Sequence, residues 1–254
     1  MEKINQFSIQ RFGLLMKRYV MFNMKTWFIG MGALAGVLIV ISALQVIFSS
    51  GTFNISPLVT LGQIVIFVGG FLITSMSYNE IHTPARSQFF LTLPATTGEK
   101  LFSHWIITSV IFVVVANILL MVTLLIASAI ANLSLSIPID VFNPFEKQNL
   151  TLMSIYLVVQ SVFFLGALYF RKNNFLKTIL SLFVIQLIIN IFTFLVAYLI
   201  IGHEGFQQDM DMANINMTEF ASESFPVVMK ILFYGVLAPF CLLVSYFRLK
   251  EREV

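Results

Sequence analysis

Charge is scarce in this sequence. Only 11% of its 254 residues are Asp, Glu, Lys or Arg, against about 25% in an ordinary soluble domain. None of the four occurs from Thr26 to Asn79, and none from Leu101 to Ile139. Those runs exceed the roughly 20 apolar residues that cross a bilayer. Soluble enzyme classes are thereby excluded, and the chain reads as a polytopic integral membrane protein. Cysteine is nearly absent: Cys241 stands alone inside an apolar run, so no disulfide forms within one chain and thiol chemistry is not expected. Catalytic motifs are missing too. No G-x-x-x-x-G-K-[ST] phosphate loop occurs, because Gly98-Glu99-Lys100 lacks the glycine spacing and the following Ser or Thr. No H-E-x-x-H occurs, and the three histidines are far apart in sequence, so neither a metal site nor a catalytic site is read. An enzyme is not expected, nor a cofactor bound by this chain. Charges near mid-membrane are lacking as well, and Lys230, the nearest case, is close enough to a span end to snorkel. Proton- or sodium-coupled carriers mark their pathway with such charges.

What is present is hydrophobic length: 58% apolar residues and a mean hydropathy of +0.91. Hydropathy predicts six spans, at 27–48, 57–78, 101–131, 152–170, 178–201 and 227–247, within one transmembrane domain over 1–254. The third is over-long and must tilt or protrude. Helices are the expected form, because lipid cannot satisfy the backbone of an open strand. The first run is too long for the core of a cleavable signal peptide. Ahead of it, residues 4–23 carry Ile9, Phe12, Leu15, Met16, Tyr19 and Val20 on one helical side. Gln10, Arg11, Lys17 and Arg18 fall on the other, with Leu14 out of place. A basic amphipathic helix of this kind lies in the membrane interface; the alternative is packing against protein. The expected fold class is an all-α integral membrane protein, with six transmembrane helices and an N-terminal interfacial amphipathic helix.

The basic residues orient it. With the N-terminus in the cytoplasm, thirteen of fifteen Lys and Arg fall inside with five acids, leaving two basic residues and seven acids outside. The positive-inside rule selects this orientation, and an even span count returns the C-terminus to the cytoplasm. That placement explains the net charge of +3, so no nucleic-acid partner is inferred. Outside, Ile137-Pro138 and Asn143-Pro144 signal turns, and the stretch from Thr218 to Pro226 suits a short helix at the outer interface. Within the spans, Gly30, Gly32, Gly36, Gly69 and Gly70 read as close-packing positions. Gln45, Gln63, Asn117, Gln160, Gln186 and Asn190 read as interhelix hydrogen-bonding residues.

The sizeable polar interruption of the first half is 79–100. Within it, Thr96-Thr97-Gly98-Glu99 follows the capping-box pattern and starts the third helix before the membrane. His104 is read as a solvated interface residue, with pH sensing or pairing with Glu80 as the alternatives; Trp105 fits an aromatic belt. Phe89, Phe90, Leu91 and Leu93, with Pro94 following, need a hydrophobic partner in so polar a loop. They either fold back on the membrane or dock into another protein. Docking is favoured because Glu80, His82, Arg86, Glu99 and Lys100 would form a polar rim around them.

Two segments carry a resemblance. Gln10-Arg11-Phe12-Gly13-Leu14-Leu15-Met16-Lys17-Arg18-Tyr19 precedes the first span, and Phe89-Phe90-Leu91-Thr92-Leu93-Pro94-Ala95-Thr96-Thr97-Gly98-Glu99-Lys100 precedes the third. With Gln160-Ser161-Val162-Phe163-Phe164-Leu165-Gly166 and the basic turn from Arg171 to Lys177, the chain resembles the ABC-2 type permease family over nearly its whole length. The resemblance implies a half-transporter in the bacterial inner membrane. It would pair with a second permease chain and be driven by a cytosolic ATPase that binds the ATP. The family's coupling helix maps onto Ser87 to Lys100, its interfacial helix onto 4–23, and its outer re-entrant element onto Met217 to Val228. A non-transporting membrane scaffold or sensor using the same loop is the alternative.

Overall fold

The computed structural model describes residues 7–48, 53–135, 141–208 and 225–253. Among these there is no strand, and six helices are long and apolar enough to cross a membrane. They are α1 (Ile9–Phe48) and α2 (Ser56–Met76), then the short α3 (Asn79–His82) and α4 (Pro84–Leu91). The third long helix is α5 (Thr97–Ile106) continued through a widened π turn (Ile107–Ile111) into α6 (Phe112–Leu135). Next come α7 (Lys147–Tyr169) and α8 (Asn174–Gln208), with Asn173 between them at φ 53°, a conformation Asn tolerates better than most residues. The sixth is α9 (Phe225–Ile231), a second π turn (Leu232–Leu237) and α10 (Ala238–Glu253). Pro239 has no N–H and its ring crowds the carbonyl four residues back, at Gly235. The widened turn is where the helix absorbs that clash.

One expectation is corrected. Over its described residues the helix expected at 4–23 is not separate from the first span: α1 runs without a break for 40 residues, about 60 Å at 1.5 Å per residue. Its basic half packs on protein, burying Leu15 and Tyr19 while Ile9, Leu14, Met21 and Phe22 stay exposed. Arg11 meets Glu99 and Tyr19 meets His104, so α1 and α5–α6 run in the same direction. The proposed outer re-entrant element and the helix from Thr218 to Pro226 fall mostly outside the described residues, as does the Ile137-Pro138 turn. The Asn143-Pro144 turn is present, with the Asn143 side chain accepting from the Phe145 amide at 2.9 Å.

α2 is central, packed on α1, α6, α7 and α8, and α7 in turn packs on α10. Two hydrophobic clusters result. The first gathers Leu38, Leu58, Ile66, Phe112, Leu120 and Tyr156 in the body of the bundle. The second gathers Tyr78, Ile81, Phe90, Leu101, Phe164, Leu168 and Leu249 at the end that holds α3 and α4. Several polar side chains inside the bundle pair between helices, as expected of uncharged polar residues within spans. Gln160 donates to Thr74 at 3.2 Å and to Thr108 at 2.9 Å, and the Tyr156 hydroxyl donates to the Thr108 carbonyl at 3.1 Å. That carbonyl belongs to the π turn, where the regular ladder is disrupted and backbone acceptors become accessible. Gln63 donates to Asn149, which donates to Asn117. Gln186 and Asn190 pair only along their own helix, on an exposed face.

The glycines divide. A Cβ at Gly70 would collide with Tyr156 and Phe112, whereas nothing lies within 4 Å of a Cβ built at Gly69, Gly30, Gly32 or Gly36. The Gly32-x-x-x-Gly36 stripe therefore makes no close approach within this chain. Gly70→Ala will lower the unfolding free energy by about 1–3 kcal/mol, the usual cost of overpacking. Gly69→Ala will be neutral or slightly stabilising, and thermal unfolding in detergent distinguishes the two.

Candidate functional site

The segment 79–100 is folded, not a flexible connector. Thr96 caps α5 through its side chain, accepting from the Glu99 amide, while the Glu99 carboxylate accepts from the Thr96 amide at 2.8 Å. The capping box read from the sequence is complete. The same carboxylate also accepts from the Ser8 amide at 2.6 Å and from both Nη2 and Nε of Arg11, at 3.0 and 3.3 Å. Glu99 is fully buried. Four donors on two oxygens replace the water it has lost, as a buried carboxylate requires.

Lys100 is buried as well. Its ammonium donates to the Leu91 carbonyl at 3.0 Å and to Glu253 at 2.9 Å, and lies 5.7 Å from the centre of the Phe90 ring. Glu253 also accepts from the Thr97 hydroxyl. The neighbouring His82 accepts from Arg252 at Nδ1 across 3.3 Å and donates from Nε2 to the Ala167 carbonyl at 2.8 Å. These ties bind the segment to the first helix, to the C-terminal helix and to the end of α7. The Arg18–Glu80 pair at 2.8 Å joins the first helix again, but both side chains are 29% exposed. Pairs so open contribute about 0–1 kcal/mol.

The eight residues singled out from the sequence therefore separate. Arg86, Phe89 and Pro94 are exposed, with Phe89 at 74%, and Leu91 and Leu93 are half-buried. Phe90 is 1% exposed and faces inward, with its ring against Tyr78 and His104. Glu99 and Lys100 do not belong to a polar rim. They are buried ion-pair partners, because the capped helix start turns them into the bundle, where Arg11 and Glu253 meet them. His104 is corrected too. It is 4% exposed, stacked on Tyr78 and met by the tilted ring of Tyr19, with Nδ1 2.9 Å from the Lys100 carbonyl. It does not reach Glu80, which is taken by Arg18. What faces outward is a small knob: Phe89, with Arg86 and Pro94 also exposed and Leu93 half-buried.

The sequence reading missed Arg11, Arg18, His82 and Glu253 as the residues that hold the loop. A signal was there. Arg11 and Arg18 are seven apart, on one helical stripe, and Glu253 is an acid among Arg248, Lys250 and Arg252. Among the described residues, no group of His, Cys, Asp and Glu is placed to hold a metal ion. Comparison with models of known families, with curated proteins and with solved structures returns no match.

Burial and the nearby Arg252 and Arg171 guanidiniums hold the His82 pKa below its ordinary 6.5, against the opposing hydrogen bond to Ala167. The unfolded chain therefore binds this proton first. The stability that neutral His82 supplies is complete above pH 6.5 and is lost as pH falls toward the lowered value. In His82→Gln that part of the acid-side decline will disappear. Unfolding midpoints of the two proteins, measured from pH 8 down to about 5 around the ordinary histidine value, check this.

Proposed function

We propose that this chain is the transmembrane permease subunit of an ATP-driven exporter of the ABC-2 type, driven by a separate cytosolic ATPase. In this reading two permease chains, identical or related, form the pathway in a bacterial inner membrane, with both termini cytoplasmic. The observation that carries it is the combination at 79–100: an exposed aromatic, Phe89, on a helical segment tied through charged pairs to both ends of the chain. A segment so tied can transmit a push from a soluble partner into the bundle, which a floppy loop cannot. The asymmetry of basic residues supports the orientation. The absence of a phosphate loop from the sequence means that any ATP must be handled elsewhere.

The knob is exposed, so the partner contact can be removed without unfolding the protein. Phe89→Asp will leave the melting behaviour within about 0.5 kcal/mol of the parent and abolish co-purification of an ATPase bearing a phosphate loop. Phe90→Asp places a charge in the second cluster and will unfold that end. Affinity purification in detergent followed by mass spectrometry reads both. If no ATPase accompanies the parent, or if Phe89→Asp retains it in full, the exporter reading fails and a scaffold or sensor takes its place.

A further inference from the structure

Beside the knob lies a second, chemically different surface. α4, the turn after α7 and the last turns of α10 enclose a depression of about 680 Å³, lined by Ser87, Tyr169, Arg171, Arg248, Glu251 and Arg252 among others. Three guanidiniums face one carboxylate there. Glu251 pairs with Arg248 at 2.8 Å, and the Arg248 guanidinium lies 5.4 Å from the centre of the Tyr169 ring. The Nε of Arg248 is nonetheless buried with no hydrogen-bond partner among the described residues. Arg252 donates to His82, held neutral by its surroundings, and among the described residues neither Arg252 nor the exposed Arg171 forms an ion pair. Two positive charges in the depression are thus uncompensated, and a third retains an unused buried donor.

Like charges lining one depression repel, and an anion among them would offset that repulsion. Planar guanidinium forks match phosphate oxygens two at a time. The position along the helices selects the source of the phosphate. Tyr169 closes the apolar α7 and is 60% exposed, and Phe247, one residue before Arg248, is 53% exposed. The polar depression therefore opens where the apolar faces end, at the depth of lipid headgroups, and basic pockets between spans at that depth take anionic lipid headgroups. We propose that the depression is a binding site for an anionic phospholipid, whose phosphate is held by Arg171, Arg248 and Arg252. The site is independent of any ATPase, and it is separate from Phe89.

Native mass spectrometry of the full chain in detergent, with equal additions of phosphatidylglycerol and phosphatidylcholine, tests it. The parent will retain phosphatidylglycerol in preference. Arg171→Gln, at an exposed residue whose loss leaves the fold intact, will weaken that binding about fivefold, the share of one basic residue at an anionic surface. Lys172→Gln removes the same charge one residue away, outside the depression, and will leave the binding unchanged. Equal retention of the two lipids overturns the proposal, as does equal loss in both variants. Thermal unfolding separates the remaining sources. Stabilisation by inorganic phosphate but not by phosphatidylglycerol assigns the depression to a free anion, and stabilisation by neither overturns an anion site. Phosphatidylglycerol alone raising the midpoint is the expected result.

Discussion

An ammonium group with 2% of its side chain open to solvent must be neutralised where it sits. Lys100 meets that requirement with Glu253, the Leu91 carbonyl and the face of Phe90, and much of the basic end follows from it. Removing one partner of a buried pair costs about 3–5 kcal/mol, so the last turn of the C-terminal helix is fixed against the start of α5. Glu99, one residue earlier, imposes the complementary demand and draws in Arg11 and the Ser8 amide from the first helix. Two adjacent buried charges of opposite sign thus reach in opposite directions along the chain. They turn the segment between the second and third long helices into a rigid platform, with Phe89 and Arg86 facing away from it.

The bundle that carries the platform is held by a few uncharged contacts. Gln160, Thr74, Thr108 and Tyr156 form one interhelix group beside the π turn, and Gln63, Asn149 and Asn117 form another. Hydrogen bonds of this kind between spans contribute about 0.6–2 kcal/mol each, with close packing at Gly70 supplying shape. Outside this interior the faces of α1, α8 and α10 are apolar and open; along α8 nothing from Ile179 to Val196 is buried. Such surface suits lipid tails, not water.

The six spans were legible because hydropathy over a long window needs no knowledge of neighbours. The capping box was legible because both of its bonds are local, from Thr96 to Glu99 and back. Gln63, Asn117 and Gln160 were legible as interhelix residues because little else satisfies an amide in an apolar environment. What escaped is what depends on distant partners. Phe89 and Phe90 are adjacent and chemically identical, and only the position of Tyr78 and His104 decides which of them is core. Glu99 and Lys100 read as rim charges until Arg11 and Glu253 are brought beside them from 88 and 153 residues away. The unbroken α1 escaped because charges at Lys17, Arg18 and Lys25 end a hydropathy window without ending a helix.

The central claim is that Lys100 and Glu253 act as one buried unit that fixes the segment between the second and third long helices to the C-terminal helix. A double-mutant cycle with Lys100→Met and Glu253→Gln, read by unfolding of the full chain in detergent, tests it most directly. The account predicts that the two substitutions are strongly non-additive, with a coupling of about 1–3 kcal/mol. Effects that add to within about 0.5 kcal/mol would contradict it, leaving the platform without the tie on which its rigidity depends.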